Sequence, residues 1–356
     1  MINCNHFRLF LVASALLLSS SNLYAADGSD WNIASRLLPP PAAASEALSS
    51  SIASTPQPTP PPPGMMPQTP EQWEAFIEQA TGAQAIPLQT LAQMSNTTIE
   101  KQQLAGVTVY SVTPDTIAPE HKDHLFLHVH GGGYVILGGD AAPSEAATIA
   151  ASSGIRSISV DYRMPPAAPF PAAVDDTIAV YREILKTTPA NKIAIGGTSA
   201  GGGLSFAAVH KMKELGLPLP GAIFAGTPWA DLSKTSDTLF TNEGIDRVLI
   251  SYDGLLSAAA EIYADGEDLK HPLISPLYGD FSGFPPTILI SGTRDLLLSD
   301  TVRAQRKLRD EGIIADLHVF EGMSHAGYLL EAGSPEAISS MNEISLFFKK
   351  IGRAHV

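Results

Sequence analysis

A short glycine-flanked segment carries the strongest sign of chemistry in the sequence. Residues Gly197–Gly201 read Gly-Thr-Ser-Ala-Gly, and they follow an apolar segment, Lys192–Ile195, that has the pattern of a strand. A helical pattern over Ala200–Leu215 begins directly after Ser199. A serine on such a sharp strand-to-helix turn projects its hydroxyl above the sheet, and the amides of the new helix face it with partial positive charge. We therefore predict that Ser199 is a nucleophile; the alternative is a glycine-rich turn that only connects the two elements.

A second glycine-rich segment could stabilise the charge that such a nucleophile creates. His130 is followed by Gly131–Gly133, directly after another apolar strand pattern. Consecutive glycines let backbone N–H groups approach a ligand closely. Beside a nucleophilic serine they would form an oxyanion hole, and we predict that its donors are the amides of Gly132, Gly133 and Ala200. The alternatives are a flexible turn or a phosphate-binding loop, although neither phosphate-binding glycine pattern follows here.

A nucleophilic serine needs a base, and the positions of the histidines favour one of them. His325 lies in a loop that leaves the last predicted strand at its carboxyl end, where the sites of open parallel sheets are found. His210 falls inside the helix after the serine, His318 within a strand, and His271 in a polar segment between strands. We therefore predict that His325 is the general base.

The carboxylate that orients this base is expected between the serine and the histidine in chain order. Asp295 follows the predicted strand Thr287–Ile290, in a loop at its carboxyl end. Asp300 is the second candidate, but it falls in the next predicted helix, Ser299–Glu311. An aspartate at position 295 could instead cap that helix. Placement in the chain therefore favours Asp295 as the acid.

Three histidines near the glycine segment raise the question of a metal site. His124, His128 and His130 precede the glycines, and the last two share one face of the predicted strand. Apart from Asp123, the neighbouring sequence offers no obvious third ligand. We expect no metal here, and we assign His130 to orienting the glycine segment.

These residues lie at the ends of alternating strands and helices. Seven short apolar segments have the pattern of strands, and longer helical patterns separate most of them. Such alternation predicts an α/β domain with a mostly parallel sheet and helices on both faces. The predicted strands are Val107–Val112, Leu125–Val129, Ile155–Val160, Lys192–Ile195, Ala222–Ala225, Thr287–Ile290 and Asp316–Phe320; the predicted helices are Ser144–Ser152, Pro171–Lys186, Ala200–Leu215, Ser299–Glu311 and Pro335–Lys350.

The rest of the chain divides by composition. Residues 26–68 are rich in Pro, Ala and Ser, which favours extended segments and predicts a linker or surface arm. Order is expected from Thr69, where Thr-Pro-Glu-Gln resembles a capping box at the start of an amphipathic helix. We predict one domain over residues 69–350, whose cap is formed by about 69–100 and by 232–275, a polar segment that interrupts the strand–helix alternation.

Residues 1–25 have the pattern of a secretory signal. Arg8 precedes an apolar run, Leu9–Leu18, that is too short for a membrane span, and small polar residues lead to a predicted cut after Ala25. An uncleaved anchor is the alternative. Cys4, the one cysteine, lies in this segment, so the processed chain would have no disulfide.

The charge of the chain bears on its partners. The formal net charge is −14 at pH 7, and it becomes −15 when the positive charge of Arg8 leaves with the signal. An acidic chain without a basic stretch argues against nucleic acid and anionic membranes as partners. We expect an exported protein, periplasmic or secreted, that acts on a small molecule and has no stable membrane insertion after signal removal.

Several of these segments together resemble the hormone-sensitive-lipase-like family of carboxylesterases. The resemblance covers about residues 69–350, and it implies the α/β-hydrolase fold, a helical cap and no metal or organic cofactor. It also implies hydrolysis of esters with short or medium acyl chains through an acyl-enzyme. The segments similar to family motifs are His130–Gly133 (oxyanion motif), Gly197–Gly202 (the GTSAG form of the nucleophile elbow), Asp161–Arg163 with Pro169–Ala173 (D-Y-R…P-F-P-A-A) and Thr227–Ser233 (S-P-W-x-D-L-S).

The sequence also departs from the family pattern. Asp295 lies in Thr-Arg-Asp-Leu-Leu instead of the common D-P-L form, Met164–Pro166 replaces L-A-P, and the Pro-rich arm is additional. A lactonase or an amidase would use the same residues, so both remain alternatives. A non-catalytic ligand-binding protein of this fold is a third, although receptors resembling the family typically lack the catalytic histidine. The sequence predicts neither the natural substrate nor the oligomeric state.

Overall fold

The computed structural model describes residues 35, 37–60, 62 and 64–352. The contacts of the chain divide it into two units, Met1–Pro39 and Pro40–Val356. The described residues of the first unit, 35 and 37–39, have neither helix nor strand. The predicted signal, its cut after Ala25, and Cys4 therefore lie outside the described residues.

Eight strands form one sheet in the second unit. They are β1 (Thr97–Leu104), β2 (Val107–Pro114), β3 (Leu125–Val129), β4 (Arg156–Asp161), β5 (Ile193–Thr198), β6 (Ala222–Gly226), β7 (Thr287–Gly292) and β8 (Ala315–Phe320). Their order across the sheet is β1-β2-β4-β3-β5-β6-β7-β8. The pairs β1–β2 and β2–β4 are antiparallel, and all other pairs are parallel. The predicted α/β-hydrolase architecture, with a mostly parallel sheet, is confirmed.

The helices that the sequence predicts are present with small shifts at their ends. In the described chain the helices are α1 (Glu46–Ser54), α2 (Pro70–Gln84), α3 (Leu88–Ser95), α4 (Ser144–Ser153), α5 (Ala172–Ile184), α6 (Ala200–Glu214), α7 (Thr238–Thr241), α8 (Ser257–Ala264), α9 (Leu298–Asp310), α10 (Gly327–Leu330) and α11 (Pro335–Phe348). Of these, α1, α3, α7, α8 and α10 are additional to the predicted helices. Helix α2 begins with the predicted capping box, in which Thr69 and Gln72 each accept a hydrogen bond from the other's backbone N–H. None of these helices has both the length and the apolar character needed to cross a membrane.

The central strands contribute to two apolar cores, one on each face of the sheet. Leu127 and Ile195 belong to a core that includes residues of α5, α6 and α9. Phe126 and Phe224 belong to a second core, with residues of α4 and α11. Successive side chains of a strand point to opposite faces, so a strand covered on both faces is apolar throughout. The two layers of helices hold the carboxyl ends of the parallel strands at one edge of the sheet, where the loops with the predicted site residues begin.

The predicted linker over residues 26–68 contains a packed helix, which corrects that prediction. In α1, Leu48 and Ile52 are buried. Ser45 caps the helix by accepting from the N–H of Leu48, and its own hydroxyl donates to Glu336 at 2.7 Å. A proline-rich composition did not reveal this helix because its few apolar residues are buried against distant parts of the chain.

Part of the predicted cap over residues 69–100 belongs to the body of the sheet instead. Helix α3 buries Leu91 with Val112 and Ala146 of the sheet and α4. Strand β1 pairs with β2 along its whole length, from Thr97 to Leu104. Its side chains are mostly exposed because it is an edge strand, so it lacks the apolar alternation by which strands are predicted.

The other elements of the predicted cap lie beside the glycine segment after β3. Thr81 of α2 accepts a hydrogen bond from the N–H of Leu137 at 3.2 Å. Helix α8, in the segment between β6 and β7, places Ala259 within 3.8 Å of the position that a Cβ would take on Gly133. Both α2 and the 232–275 segment therefore lie near the predicted oxyanion loop.

Candidate active site

Ser199 lies between β5 and α6 in a backbone conformation that few serines adopt. Its φ is 60° and its ψ is −122°. Side chains other than glycine disfavour positive φ, so the surrounding structure must hold this residue in place. Its N–H donates to the carbonyl of Gly226 at 2.8 Å, and its carbonyl accepts from the N–H of Trp229 at 2.9 Å. The turn is therefore fixed by the strand next to β5, as the predicted sharp turn requires.

The glycines on both sides of this serine are needed because the end of β3 passes very close to them. A Cβ on Gly197 would lie 1.9 Å from the carbonyl oxygen of Val129, and one on Gly201 would lie 2.1 Å from the same atom. Such distances are far inside van der Waals contact. The structure thus gives the physical reason for the Gly-x-Ser-x-Gly pattern that the sequence indicated.

The glycine segment after β3 lies directly against the serine. A Cβ on Gly131 would be 3.5 Å from the Cβ of Ser199. Gly132 and Gly133 have φ values of +94° and +62°, which suit glycine. In the part of the chain that the structure describes, no carbonyl accepts a hydrogen bond from the N–H of Gly132, Gly133 or Ala200. Ala200 begins α6, where an N–H has no partner within the helix.

His130 holds this glycine segment from behind. Its ring stacks on that of Tyr162, with centroids 4.0 Å apart and planes within 6°. The Tyr162 hydroxyl donates to the His130 carbonyl at 2.9 Å, and Nδ1 of His130 donates to the carbonyl of Gly131 at 2.8 Å. Burial lowers the pKa of His130 to about 3, so the ring is neutral. These contacts support the orienting role predicted for His130.

His325 and Asp295 form a buried pair. Nδ1 of His325 donates a hydrogen bond to Oδ1 of Asp295 at 3.0 Å, so Nε2 carries the free lone pair. Oδ2 of Asp295 accepts from the Ser291 hydroxyl at 2.6 Å, and Oδ1 also accepts from the N–H of Leu297 at 2.9 Å. The carboxylate is thereby held by donors from both ends of its own loop.

The pKa of His325 is raised from its ordinary value. Burial by itself disfavours the charged ring, but the hydrogen bond and charge of Asp295 and the charge of Asp246 outweigh it. A raised pKa makes the imidazolium easier to form, which is what a base that accepts a proton from serine requires.

Contacts between neighbouring loops bring this pair to the serine. The hydroxyl of Thr198, the residue before Ser199, forms a hydrogen bond with the hydroxyl of Tyr328, in the first turn after the His325 loop. Thr227, after β6, donates its N–H to the carbonyl of Ile290 in β7 at 2.7 Å. The loops that carry Ser199, Asp295 and His325 therefore meet at the carboxyl edge of the sheet.

The other candidate bases are engaged elsewhere. His210 donates from Nε2 to the carbonyl of Pro276 at 3.1 Å, and burial lowers its pKa to about 4. His271 accepts the N–H of Leu273 through Nδ1 at 3.1 Å. His318 lies on the edge strand β8, 3.9 Å from Glu343. Among the described residues, the hydrogen bonds of the Asp295 carboxylate come from Ser291, Leu297 and His325, and not from these three histidines.

Asp300, the second candidate for the acid, is also engaged elsewhere. It lies in the first turn of α9, as predicted, and is fully buried. Its Oδ2 accepts from the N–H groups of Ala230 and Asp231, both at 2.9 Å, and the Ser236 hydroxyl donates to Oδ1. Asp300 therefore secures the loop after β6.

The histidines before the glycine segment use their ring nitrogens in hydrogen bonds. Nδ1 of His128 lies 2.9 Å from the Ser159 hydroxyl, and its Nε2 lies 3.0 Å from Glu145. Nδ1 of His121 lies 3.2 Å from Nδ1 of His124. Both nitrogens of His128 are thus directed at partners within the chain.

One residue of the site gave no signal in the sequence. Asp246, in the turn after α7, is buried, and one side-chain nitrogen or oxygen from each of Asp246, Asp295 and His325 lies within 4.8 Å of the other two. Such a group could bind a cation, but the oxygens of both carboxylates accept hydrogen bonds from N–H and O–H donors. Asp246 stands in a polar segment, and only the tertiary structure shows that it is buried.

Comparisons with known proteins agree with this geometry. Residues 126–329 match a family model described as the alpha/beta hydrolase fold. The chain is 30% identical over 245 residues to an acetyl-hydrolase of Streptomyces hygroscopicus, and the aligned region covers 68% of this chain and 81% of that protein. It is similar to the crystal structure of an esterase, E25, with 45% identity, a TM-score of 0.87, and coverage of 91% of this chain and 99% of the other. An esterase from the bacterial hormone-sensitive lipase family has 30% identity, a TM-score of 0.72, and coverage of 86% and 98%.

Proposed function

The chain belongs to the hormone-sensitive-lipase-like carboxylesterases of the alpha/beta hydrolase fold and hydrolyses carboxylic esters, and on this premise we propose that Ser199, His325 and Asp295 are its catalytic triad. Ser199 is the nucleophile, His325 the general base and Asp295 the carboxylate that orients the base. The observation that carries this proposal is the buried hydrogen bond of 3.0 Å between His325 and Asp295, on a loop joined to the serine turn through Thr198 and Tyr328.

The reaction has two halves. In the first, Nε2 of His325 takes the proton of the Ser199 hydroxyl as its oxygen attacks the ester carbonyl, and the protonated ring then gives that proton to the leaving alcohol. In the second, His325 activates a water molecule that releases the acid from the acylated serine. Asp295 keeps the imidazole in the required tautomer and stabilises its charged form.

The oxyanion of each tetrahedral intermediate would be bound by the amides of Gly132, Gly133 and Ala200. These N–H groups have no acceptor among the described residues, and the glycine segment lies against Ser199. Because the donors are fixed before the reaction, they stabilise the developing charge without reorganisation, and one donor contributes about 3–4 kcal/mol in enzymes of this type.

We propose that the preferred esters have short or medium acyl chains. One relative is named an acetyl-hydrolase. Ala259 and Trp229 lie beside Gly133, 3.8 and 3.9 Å from the position that a Cβ would take on that glycine, so side chains bound the site on this side. In a series of p-nitrophenyl esters from acetate to dodecanoate, the highest kcat/KM should occur with an acyl chain no longer than octanoate. A lactone and an anilide assayed in parallel test the lactonase and amidase alternatives.

We further propose that the protein is exported. The support is the sequence pattern of residues 1–25, in which Arg8 precedes a short apolar run and small residues lead to Ala25. N-terminal sequencing of the chain recovered from the periplasm or medium of an expressing bacterium should begin near Ala26. A chain that stays in the cytoplasm with Met1 intact would contradict the proposal.

The triad proposal is tested by removing the nucleophile. The variant Ser199→Ala should lose turnover of p-nitrophenyl butyrate by a factor of at least about 10⁴, because the residual oxyanion site and binding cannot replace the covalent step. Ser205→Ala is the matched control: this serine is buried in α6, the helix that follows Ser199, and its hydroxyl donates to the carbonyl of Gly201 at 2.8 Å. The control should keep activity and react with a fluorophosphonate probe, whereas Ser199→Ala should not. Turnover by Ser199→Ala at the wild-type rate would remove Ser199 from the mechanism.

A further inference from the structure

Asp246 is a buried carboxylate whose hydrogen bonds, among the residues that the structure describes, all come from backbone N–H groups. Its Oδ1 accepts from the N–H of Val248 at 2.8 Å and of Leu249 at 3.3 Å, which fixes the side chain within its own turn. Its Oδ2 accepts from the N–H of Leu296 at 2.7 Å and of His325 at 3.3 Å. These N–H donors favour the ionised form of the carboxyl group, and they oppose the burial and the charge of Asp295, which together raise its pKa.

One oxygen of Asp246 therefore joins the two loops of the His325–Asp295 pair. Leu296 directly follows Asp295 after β7, and His325 belongs to the loop after β8. The distance between the imidazole and Asp295 depends on how these two loops lie relative to each other. A shared acceptor for one N–H of each loop fixes that relation.

The same turn also contacts the acid loop from its other side. Nδ2 of Asn242 donates to the carbonyl of Asp295 at 2.8 Å and of Thr293 at 3.3 Å. Residues 242–246 thus donate to two carbonyls of the acid loop, those of Thr293 and Asp295, and accept from the N–H of Leu296. This turn comes from the segment between β6 and β7 that also contains α8.

We propose that Asp246 is a positioning residue for catalysis, which aligns His325 with Asp295 through their backbones and adds a second negative charge beside the imidazole. The proposal rests on the catalytic roles proposed for Ser199, His325 and Asp295. Asp246 does not itself contact the substrate's reacting atoms; it acts through the base.

The electrostatic part of this role follows from the groups around Asp246. The charge of Asp246 contributes to the raised pKa of His325, and burial together with the charge of Asp295 raises the pKa of Asp246. Arg247 extends away from the pair to Glu331, at 2.5 Å. Among the described residues, the charges that act on Asp246 and His325 are those of these two groups themselves and of Asp295, while Arg294 on the acid loop is affected by Arg247 and Glu321.

A change of charge at Asp246 should therefore move the pH dependence of the reaction. The base must be neutral, so kcat/KM falls as pH drops through the pKa of His325. In Asp246→Asn the imidazolium loses one stabilising charge, so this fall should shift to lower pH by on the order of half a unit. The amide also turns an NH₂ donor toward one pair of N–H groups, so alignment suffers and kcat should fall on the order of tenfold, with little change in KM.

The experiment measures kcat and KM for p-nitrophenyl butyrate between pH 5 and 9 in the full chain. The variants are Asp246→Asn, Asp246→Ser and Asp246→Glu, and the control is Asp176→Asn, which removes a buried carboxylate of α5 bonded to Arg163 after β4. Both neutral variants should shift the acidic limb of the pH profile, which is the fall of kcat/KM at low pH, to lower pH. Asp246→Ser supplies the result if Asp246→Asn does not fold. Asp246→Glu should keep the wild-type limb with a reduced kcat, and Asp176→Asn should lower the thermal midpoint without moving the limb.

The outcomes separate this inference from the triad proposal. If Ser199→Ala and His325→Ala abolish turnover while folded neutral variants at 246 keep the wild-type kcat and acidic limb, the inference on Asp246 is overturned and the triad stands. If a neutral variant at 246 only lowers the thermal midpoint, as Asp176→Asn does, Asp246 is a structural residue and the inference is likewise overturned. If His325→Ala keeps wild-type turnover, the triad proposal itself fails.

Discussion

At the scale of single residues, the site depends on which atom of each side chain is already engaged. His325 uses Nδ1 for Asp295 and keeps Nε2 free, whereas His210 is engaged through Nε2 and has a lowered pKa. Asp295 faces the imidazole, whereas Asp300 faces two backbone amides of another loop. Equal residue types thus have different roles because their donors and acceptors are paired differently.

The two aspartates give a direct comparison. We expect Asp295→Asn to lower kcat by about 10³–10⁴, because an amide cannot hold the imidazole in the tautomer that accepts the serine proton. Asp300→Asn should keep kcat within a few-fold, because Asp300 contacts neither His325 nor Ser199. The measurement is steady-state hydrolysis of p-nitrophenyl butyrate by both folded variants; a larger loss in Asp300→Asn than in Asp295→Asn would reverse the assignment of the acid.

At the scale of elements, helix α1 is hydrogen-bonded to the turn after α7, which in turn contacts the loop of His325. Arg247 donates from Nη1 to the hydroxyls of Ser51 at 3.0 Å and Thr55 at 3.2 Å, and its Nη2 lies 2.5 Å from Glu331. The N–H of Arg247 donates to the hydroxyl of Ser324 at 3.2 Å, next to His325. The arm helix, the turn after α7 and the His325 loop therefore share one hydrogen-bonded group.

If α1 is a packed element, its apolar residues must contribute to stability. Leu48 is 0% exposed, so Leu48→Ala should lower the free energy of unfolding by about 2–4 kcal/mol through lost contacts and a remaining cavity. Leu346 on α11 is 53% exposed, so Leu346→Ala should change the free energy of unfolding by less than about 0.5 kcal/mol. Urea denaturation of both variants tests this, and equal, small effects would mean that the arm is the loose linker its composition suggested.

At the scale of the whole molecule, the sheet edge is held together by buried polar groups as well as by apolar cores. Asp300 connects α9 with the loop after β6, and burial raises its pKa to about 7, with the charge of Asp231 adding to the effect and the Ser236 hydroxyl opposing it. In the unfolded chain the same carboxyl group titrates near its ordinary value of about 3.9. Folding therefore binds a proton at this site between these two values.

This linkage gives a prediction for stability against pH. Because the folded pKa is raised, the stability that Asp300 contributes is fully present below about pH 4 and is lost as pH rises through its folded pKa of about 7. The unfolding free energy of wild type minus that of Asp300→Asn should therefore decrease from about pH 4.5 to 7 and then level off. Urea denaturation of both chains at pH 4.5, 5.5, 6.5 and 7.5 measures it; a difference that grows with pH would contradict a raised pKa.

Much of this protein could be predicted from local sequence. The alternation of apolar strands and helices predicted seven of the strands and the helices between them, because residues buried on both faces of a sheet are apolar whatever their exact neighbours are. The Gly-x-Ser-x-Gly turn and the glycine segment indicated Ser199 and the oxyanion amides, because close backbone approach excludes other residues there. Placement after strands singled out His325 and Asp295, since parallel strands end at a common edge.

Other features were decided only by the tertiary structure. Strand β1 is polar and pairs at an edge, α1 packs through two apolar residues in a proline-rich arm, and Asp246 is buried within a polar turn. In each case the partners lie far away in the chain, so no local period or motif records the contact. The pairing of His325 with Asp295, and the shared N–H acceptor at Asp246, depend on how loops from different strands meet, which is a property of the folded chain and not of any one segment.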